Sequence, residues 1–76
     1  MTWTLRIDDR HAVGLVHDRG YRLAAITNVG STFDAKWLFE VTDTETGQEL
    51  VRVCHRVADE THLWTLLDDY ADRYPP

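Results

Sequence analysis

One cysteine, four histidines, two adjacent aspartate pairs and a group of N-terminal arginines are the residues in this chain with chemistry to offer. Cys54 has His55 beside it, but neighbouring residues of a strand point to opposite faces. The imidazole therefore cannot readily activate the thiol, and Cys54 reads as a small apolar filler. His11 and His17 fall on one face of an expected strand, roughly 20 Å apart along it, too far to share a metal. His55 and His62 straddle a strand-to-helix corner. A zinc site there would need further ligands, and Asp59, Glu60 and Cys54 fit no recognised spacing. The expectation is His55 against Trp37 at the edge of the core, with His62 exposed.

Acid–base catalysis by a carboxyl pair needs one partner in an apolar pocket. Asp8-Asp9 reads as part of a turn and Asp68-Asp69 as part of a solvated helix face, so both are read as surface charge. The loop around Gly30 holds a single glycine, which makes an ordinary connection rather than a phosphate cradle. No catalytic residue, metal, cofactor or small-molecule substrate is expected, and the chain reads as non-enzymatic.

Arg6, Arg10, Arg19 and Arg22 are the one basic grouping that suggests nucleic acid, with Trp3 and Tyr21 available for base stacking. Asp8, Asp9 and Asp18 interleave with these arginines and cancel much of their field. The 76 residues carry a formal charge of −5, and most of the acid lies in the second half. Such a surface suits a basic protein better than a phosphate backbone.

The elements that must position these groups are legible from period and turn chemistry. Residues 2–8 alternate as a half-buried strand, with Trp3, Leu5 and Ile7 on one face. Residues 11–17 and 21–27 read as strands joined by a three-residue turn, Asp18-Arg19-Gly20. The alternative makes 9–17 a helix. Residues 36–42 and 49–57 read as a second hairpin, with Glu45-Thr46-Gly47 as its loop and Gly47 in the left-handed conformation. That register sets Val41 against Val51, Phe39 against Val53 and Trp37 against His55. On the other face it sets Glu40 against Arg52, Thr42 against Leu50 and Leu38 against Cys54. Residues 28–35 form a loop from which Phe33 folds back onto the core.

Residues 59–74 change to the period of a helix, capped by Asp59 and ended by Pro75-Pro76. Leu63, Leu66, Leu67, Tyr70, Ala71 and Tyr74 form its apolar face, with Trp64 at the margin. Asp68, Asp69 and Asp72 lie opposite. The expected fold is α+β: one domain over residues 1–76, an antiparallel sheet of about five strands with a single C-terminal helix on one face.

A core in a chain this short rarely supplies more than ~3–5 kcal/mol, and one cysteine allows no internal disulfide. Self-association or a partner is therefore a reasonable source of stability. No apolar run is long enough to span a membrane and no leader pattern opens the chain, so a cytoplasmic location is expected.

Two surfaces carry the functional expectation. One is the acidic helix face of Asp68, Asp69 and Asp72 with Trp64 beside it, since an aromatic among charges is a common hot-spot arrangement. The other is the sheet face away from the helix, where Leu38, Leu50 and Ile26 would form an apolar patch. The reading is a small acidic protein-interaction module that docks on a basic protein surface, forms a homodimer, or both. By likeness of size and charge alone, phage- and plasmid-type inhibitors or accessory proteins of nucleic-acid-handling machinery are the comparison. The alternative is a nucleic-acid-binding accessory protein using the N-terminal arginines.

Overall fold

Each strand of the protein pairs antiparallel with the one before it, so sheet order follows chain order. The computed structural model describes residues 2–28, 30 and 32–75. Residues 29 and 31 of the expected loop and the last proline, 76, lie outside the described residues. The elements are β1 (Trp3–Asp8), β2 (Ala12–His17), β3 (Tyr21–Ile26), β4 (Ala35–Asp43), β5 (Glu49–Val57) and α1 (Glu60–Arg73). The five strands form one sheet in the order β1-β2-β3-β4-β5, and α1 crosses one of its faces. Residues 9–17 are thus not a helix: β2 is a strand paired on both sides.

The β2–β3 hairpin has the expected register, with His17 opposite Tyr21, Leu15 opposite Leu23 and Val13 opposite Ala25. Gly20 takes the left-handed conformation that closes a three-residue turn, with φ of 91°. At the other hairpin the interior pairs are also as expected, from Trp37 opposite His55 to Val41 opposite Val51.

Its tip is different. Asp43 N–H donates to Gln48 O at 2.9 Å, so the loop has one residue more than expected. Asp43 is the cause: its side chain accepts from Glu45 N–H at 3.0 Å and its carbonyl accepts from Gly47 N–H at 2.8 Å. These bonds wind the loop into a tighter, helix-like turn. The extra residue is absorbed by a bulge between Val41 and Thr42, which leaves Thr42 opposite Glu49 rather than Leu50. Leu50 is half-buried and packs against the main core, so it does not belong to the open face of the sheet.

A second bulge corrects the reading of β1. Leu5 pairs with Leu15, but Ile7 pairs with Gly14, so Arg6 is the unpaired residue. Ile7 thereby leaves the stripe of Trp3 and Leu5 and lies on the open face over Gly14. A Cβ on Gly14 would stand 3.3 Å from the Ile7 side chain. The one β2 position without a side chain is thus where Ile7 crosses.

The core forms between the sheet and the helix. Val13, Leu23, Ala25, Trp37, Phe39, Val41 and Val57 come from the strands, and Leu63, Leu67 and Tyr70 from α1. Burying each large apolar side chain contributes about 1.5–3 kcal/mol. Asp59 caps the helix by accepting from His62 N–H at 2.8 Å. At the other end Trp3 Nε1–H donates to Ala71 O and Tyr74 O at 3.1 and 3.2 Å. Two carbonyls that the helix end leaves without partners are thereby satisfied from β1. Among the described residues no helix is long and apolar enough to cross a membrane.

Candidate functional site

The acidic helix face forms because α1 repeats a charged or aromatic residue every fourth position. Glu60, Trp64, Asp68 and Asp72 lie four apart, and such residues are neighbours on a helix surface. They form one ridge along the flank of α1, beside the buried stripe of Leu63, Leu67 and Tyr70. Asp68, Asp69 and Asp72 are exposed, while Trp64 is half-buried against the core. Asp69 stands apart from the ridge. Its carboxylate accepts from Arg73 at 2.6 Å, and the Arg73 guanidinium also lies 4.6 Å from the centre of the Tyr70 ring. Much of the Asp69 charge is therefore answered within the helix.

The ridge ends at a cavity of about 420 Å³ that sequence reasoning did not anticipate. Asp8 reaches it from the end of β1 and Asp9 from the turn after it, Phe33 from the loop before β4, and Glu60 and Trp64 from the first turns of α1. Trp37, Val13 and Leu63 contribute its buried side, and Arg10 also lines it. Three carboxylates and one guanidinium make the lining net acidic. Phe33 stacks on Trp37 with ring centroids 6.2 Å apart, and Trp37 Nε1–H donates to Thr32 O at 2.7 Å. Phe33 therefore does fold back as expected, yet it stays 40% exposed and serves as a wall. Asp8 and Asp9 are exposed, as expected of surface charge, and both line the cavity together with Phe33 and Trp64, the Asp9 carboxylate also accepting from Arg10 N–H.

A second cavity of about 330 Å³ lies on the open face, lined by Arg22, Glu40, Thr42 and Glu49 among others. Its acids are answered locally, because Arg52 reaches Glu40 at 2.9 Å and Glu49 at 3.5 Å. It has no net pull on a charged ligand comparable to that of the first.

On the open face Ile26 pairs directly with Leu38, and Leu38 with Cys54. Ile7, Gly14 and Ala24 form the adjoining row across β1, β2 and β3. Ile7 is 53% and Ile26 43% exposed. Of the described residues before β4, Phe33 lies on the helix side and Asp34 pairs with Arg56 at the edge of this face. Of the three residues assigned to the patch, Ile26 and Leu38 meet and Leu50 does not.

The remaining sequence candidates are engaged elsewhere. His55 Nε2 and the Tyr70 hydroxyl are 2.7 Å apart, and the imidazole also meets the Phe39 ring edge-on. His62 is half-buried rather than exposed, because its Nδ1 accepts from Ala58 N–H at 3.0 Å and closes the strand-to-helix corner. Among the described residues no three histidine, cysteine or acidic side chains converge as a metal-binding group. Cys54 is exposed on the open face. The four N-terminal arginines are dispersed: Arg10 and Arg19 lie beyond opposite ends of β2, and Arg22 is on the open face. Trp3 is committed to the end of α1, and its ring packs edge-on against His17.

Compared with protein-family models, curated proteins and solved structures, the chain matches none.

Proposed function

We propose that this is a small acidic, non-enzymatic interaction module whose helix side docks on a basic protein surface. The observation that carries the reading is the ridge of Glu60, Trp64, Asp68 and Asp72, ending at a cavity lined by Asp8 and Asp9. A half-buried tryptophan flanked by acids along one line is suited to anchoring a cationic segment. Helix stability accounts for Glu60, an acid in the first turn, but not for the rest of this pattern. Asp68 and Asp72 have no such support: Asp72 stands in the last turn, at the negative end of the helix dipole, where an acid is unfavourable by about 0.3–1 kcal/mol. As an (i, i+4) pair of like charges they also repel. Surfaces that handle nucleic acid are basic, so an inhibitor or accessory protein of such machinery, of phage or plasmid type, is the role that fits.

The test is titration with a basic peptide at low and high salt, followed by fluorescence anisotropy. Saturable, salt-sensitive binding that Asp68→Lys with Asp72→Lys removes would support the reading. Equal binding by that double variant would sink it.

A second copy of the chain is the occupant we assign to the open face. A surface that contacts its own copy must be self-complementary. The helix side, net acidic along the ridge and in the cavity lining, would repel itself. The open face presents the exposed Ile7 and Ile26 and the half-buried Leu38, edged by the pairs Glu40–Arg52 and Asp34–Arg56. Sedimentation over a range of concentrations tests this, and a monomer at the highest concentration would contradict it.

A further inference from the structure

We infer that the cavity beside Trp64 is a receptor for the guanidinium of an arginine side chain presented by the basic partner. This inference rests on the reading of the helix side given above and makes it specific.

The cavity combines two features that rarely meet by accident of packing. Its carboxylates come from two separate segments: Asp8 and Asp9 from the end of β1 and the turn after it, and Glu60 from the start of α1. Of its aromatic walls, Trp64 comes from α1 and Phe33 from a third segment, the loop before β4. Three stretches distant in sequence therefore place acid and aromatic surface around one space of about 420 Å³.

A cation over an aromatic face is attracted by the ring's quadrupole, most strongly for tryptophan. A planar guanidinium can stack on a ring and offer its edge to carboxylates at once, which a compact ammonium does less well. Arginine is therefore preferred over lysine; an anionic side chain is repelled by the acidic lining, and a neutral one gains no charge attraction from it.

Phe33 is positioned for this by its stack on Trp37, and the Trp37 indole is fixed in turn by its hydrogen bond to Thr32 O. Trp64 is held by packing on the core. The walls are thus set before any ligand arrives, which lowers the cost of ordering them on binding. Arg10 is the one basic residue in the lining, and its charge opposes the arrival of a second guanidinium.

The probes are three short peptides, identical except for a central arginine, lysine or citrulline. Citrulline keeps the shape of arginine and removes its charge. Each is titrated into the whole chain and followed by tryptophan fluorescence and by amide chemical shifts. The arginine peptide is expected to bind most tightly, with citrulline at least tenfold weaker and lysine between them. Asp8→Asn with Glu60→Gln changes only exposed groups and should weaken arginine binding about tenfold while leaving the fold intact. Trp64→Leu should weaken it by roughly two- to thirtyfold, the range for a cation on an aromatic face. Arg10→Gln should tighten it, an effect that a purely structural role for the turn would not produce.

Equal binding of the arginine and citrulline peptides overturns the inference, and so does unchanged binding by the Asp8→Asn/Glu60→Gln variant. If those variants bind normally while Asp68→Lys with Asp72→Lys does not, the acidic ridge stands and the cavity loses its role. No saturable binding of any basic peptide overturns both.

Discussion

The Phe33 ring lies 6.2 Å from the Trp37 ring and within 22° of parallel to it. That stack holds Phe33 on the helix side of the sheet, where it builds one wall of the acidic cavity. On the opposite face Ile26 stays 43% exposed beside the half-buried Leu38.

Charge reversal on the ridge separates binding from stability. Asp68→Lys with Asp72→Lys exchanges one like-charge (i, i+4) pair for another and places a cation at position 72, at the negative end of the helix dipole. Thermal melting should show stability unchanged or raised by about 0.5–1 kcal/mol, while binding to a basic peptide disappears. A large loss of stability would mean that the two aspartates hold the fold rather than a partner.

Leu67 is 1% exposed between α1 and the sheet. Leu67→Ala removes transfer energy and leaves a cavity, which costs about 2–5 kcal/mol. Against the ~3–5 kcal/mol that a core of this size supplies, the variant should be largely unfolded at room temperature by circular dichroism. A cooperative melt close to the wild type would show that the stability comes from elsewhere, self-association included.

Trp3 ties the first strand to the last turn of the helix through two carbonyls, Ala71 O and Tyr74 O. Trp3→Phe keeps an aromatic against His17 and loses both bonds. The expected cost is about 1–3 kcal/mol, with amide exchange rising first in the last turn of α1. Uniform exchange across the helix would refute a local role for this contact.

How much of this was legible in the sequence depended on how local each cause is. The β2–β3 register follows from one turn with a glycine at its end, and α1 follows from its own period and its Asp59 cap. Trp64, Asp68 and Asp72 were visible as neighbours because they share one helix. The two bulges were not. One arises where Ile7 meets Gly14, a contact across two strands. The other arises because the Asp43 carboxylate winds the next turn more tightly than glycine placement alone suggests. Both turn an apolar residue over, which is why Ile7 and Leu50 are on opposite sides from those expected. The cavity was also hidden, since Asp8, Phe33 and Glu60 have no sequence proximity to reveal it.

The open face makes a separate prediction. Ile26→Asp and Leu38→Asp put unpaired carboxylates in the middle of the proposed contact between copies. Sedimentation should show self-association of the wild type in the micromolar range or above and monomers for each variant. Binding of basic peptides on the helix side should be unaffected. Loss of that binding in the monomeric variants would join the two surfaces into one.

Amide chemical-shift mapping with the arginine peptide tests the central claim most directly. Perturbations should concentrate on residues 8–10, 32–33 and the α1 positions 60, 64, 68 and 72, growing to saturation and shrinking as salt is added. Perturbations centred instead on Ile26, Leu38 and Cys54, or none that saturate, would contradict the assignment of the acidic helix side as the docking surface.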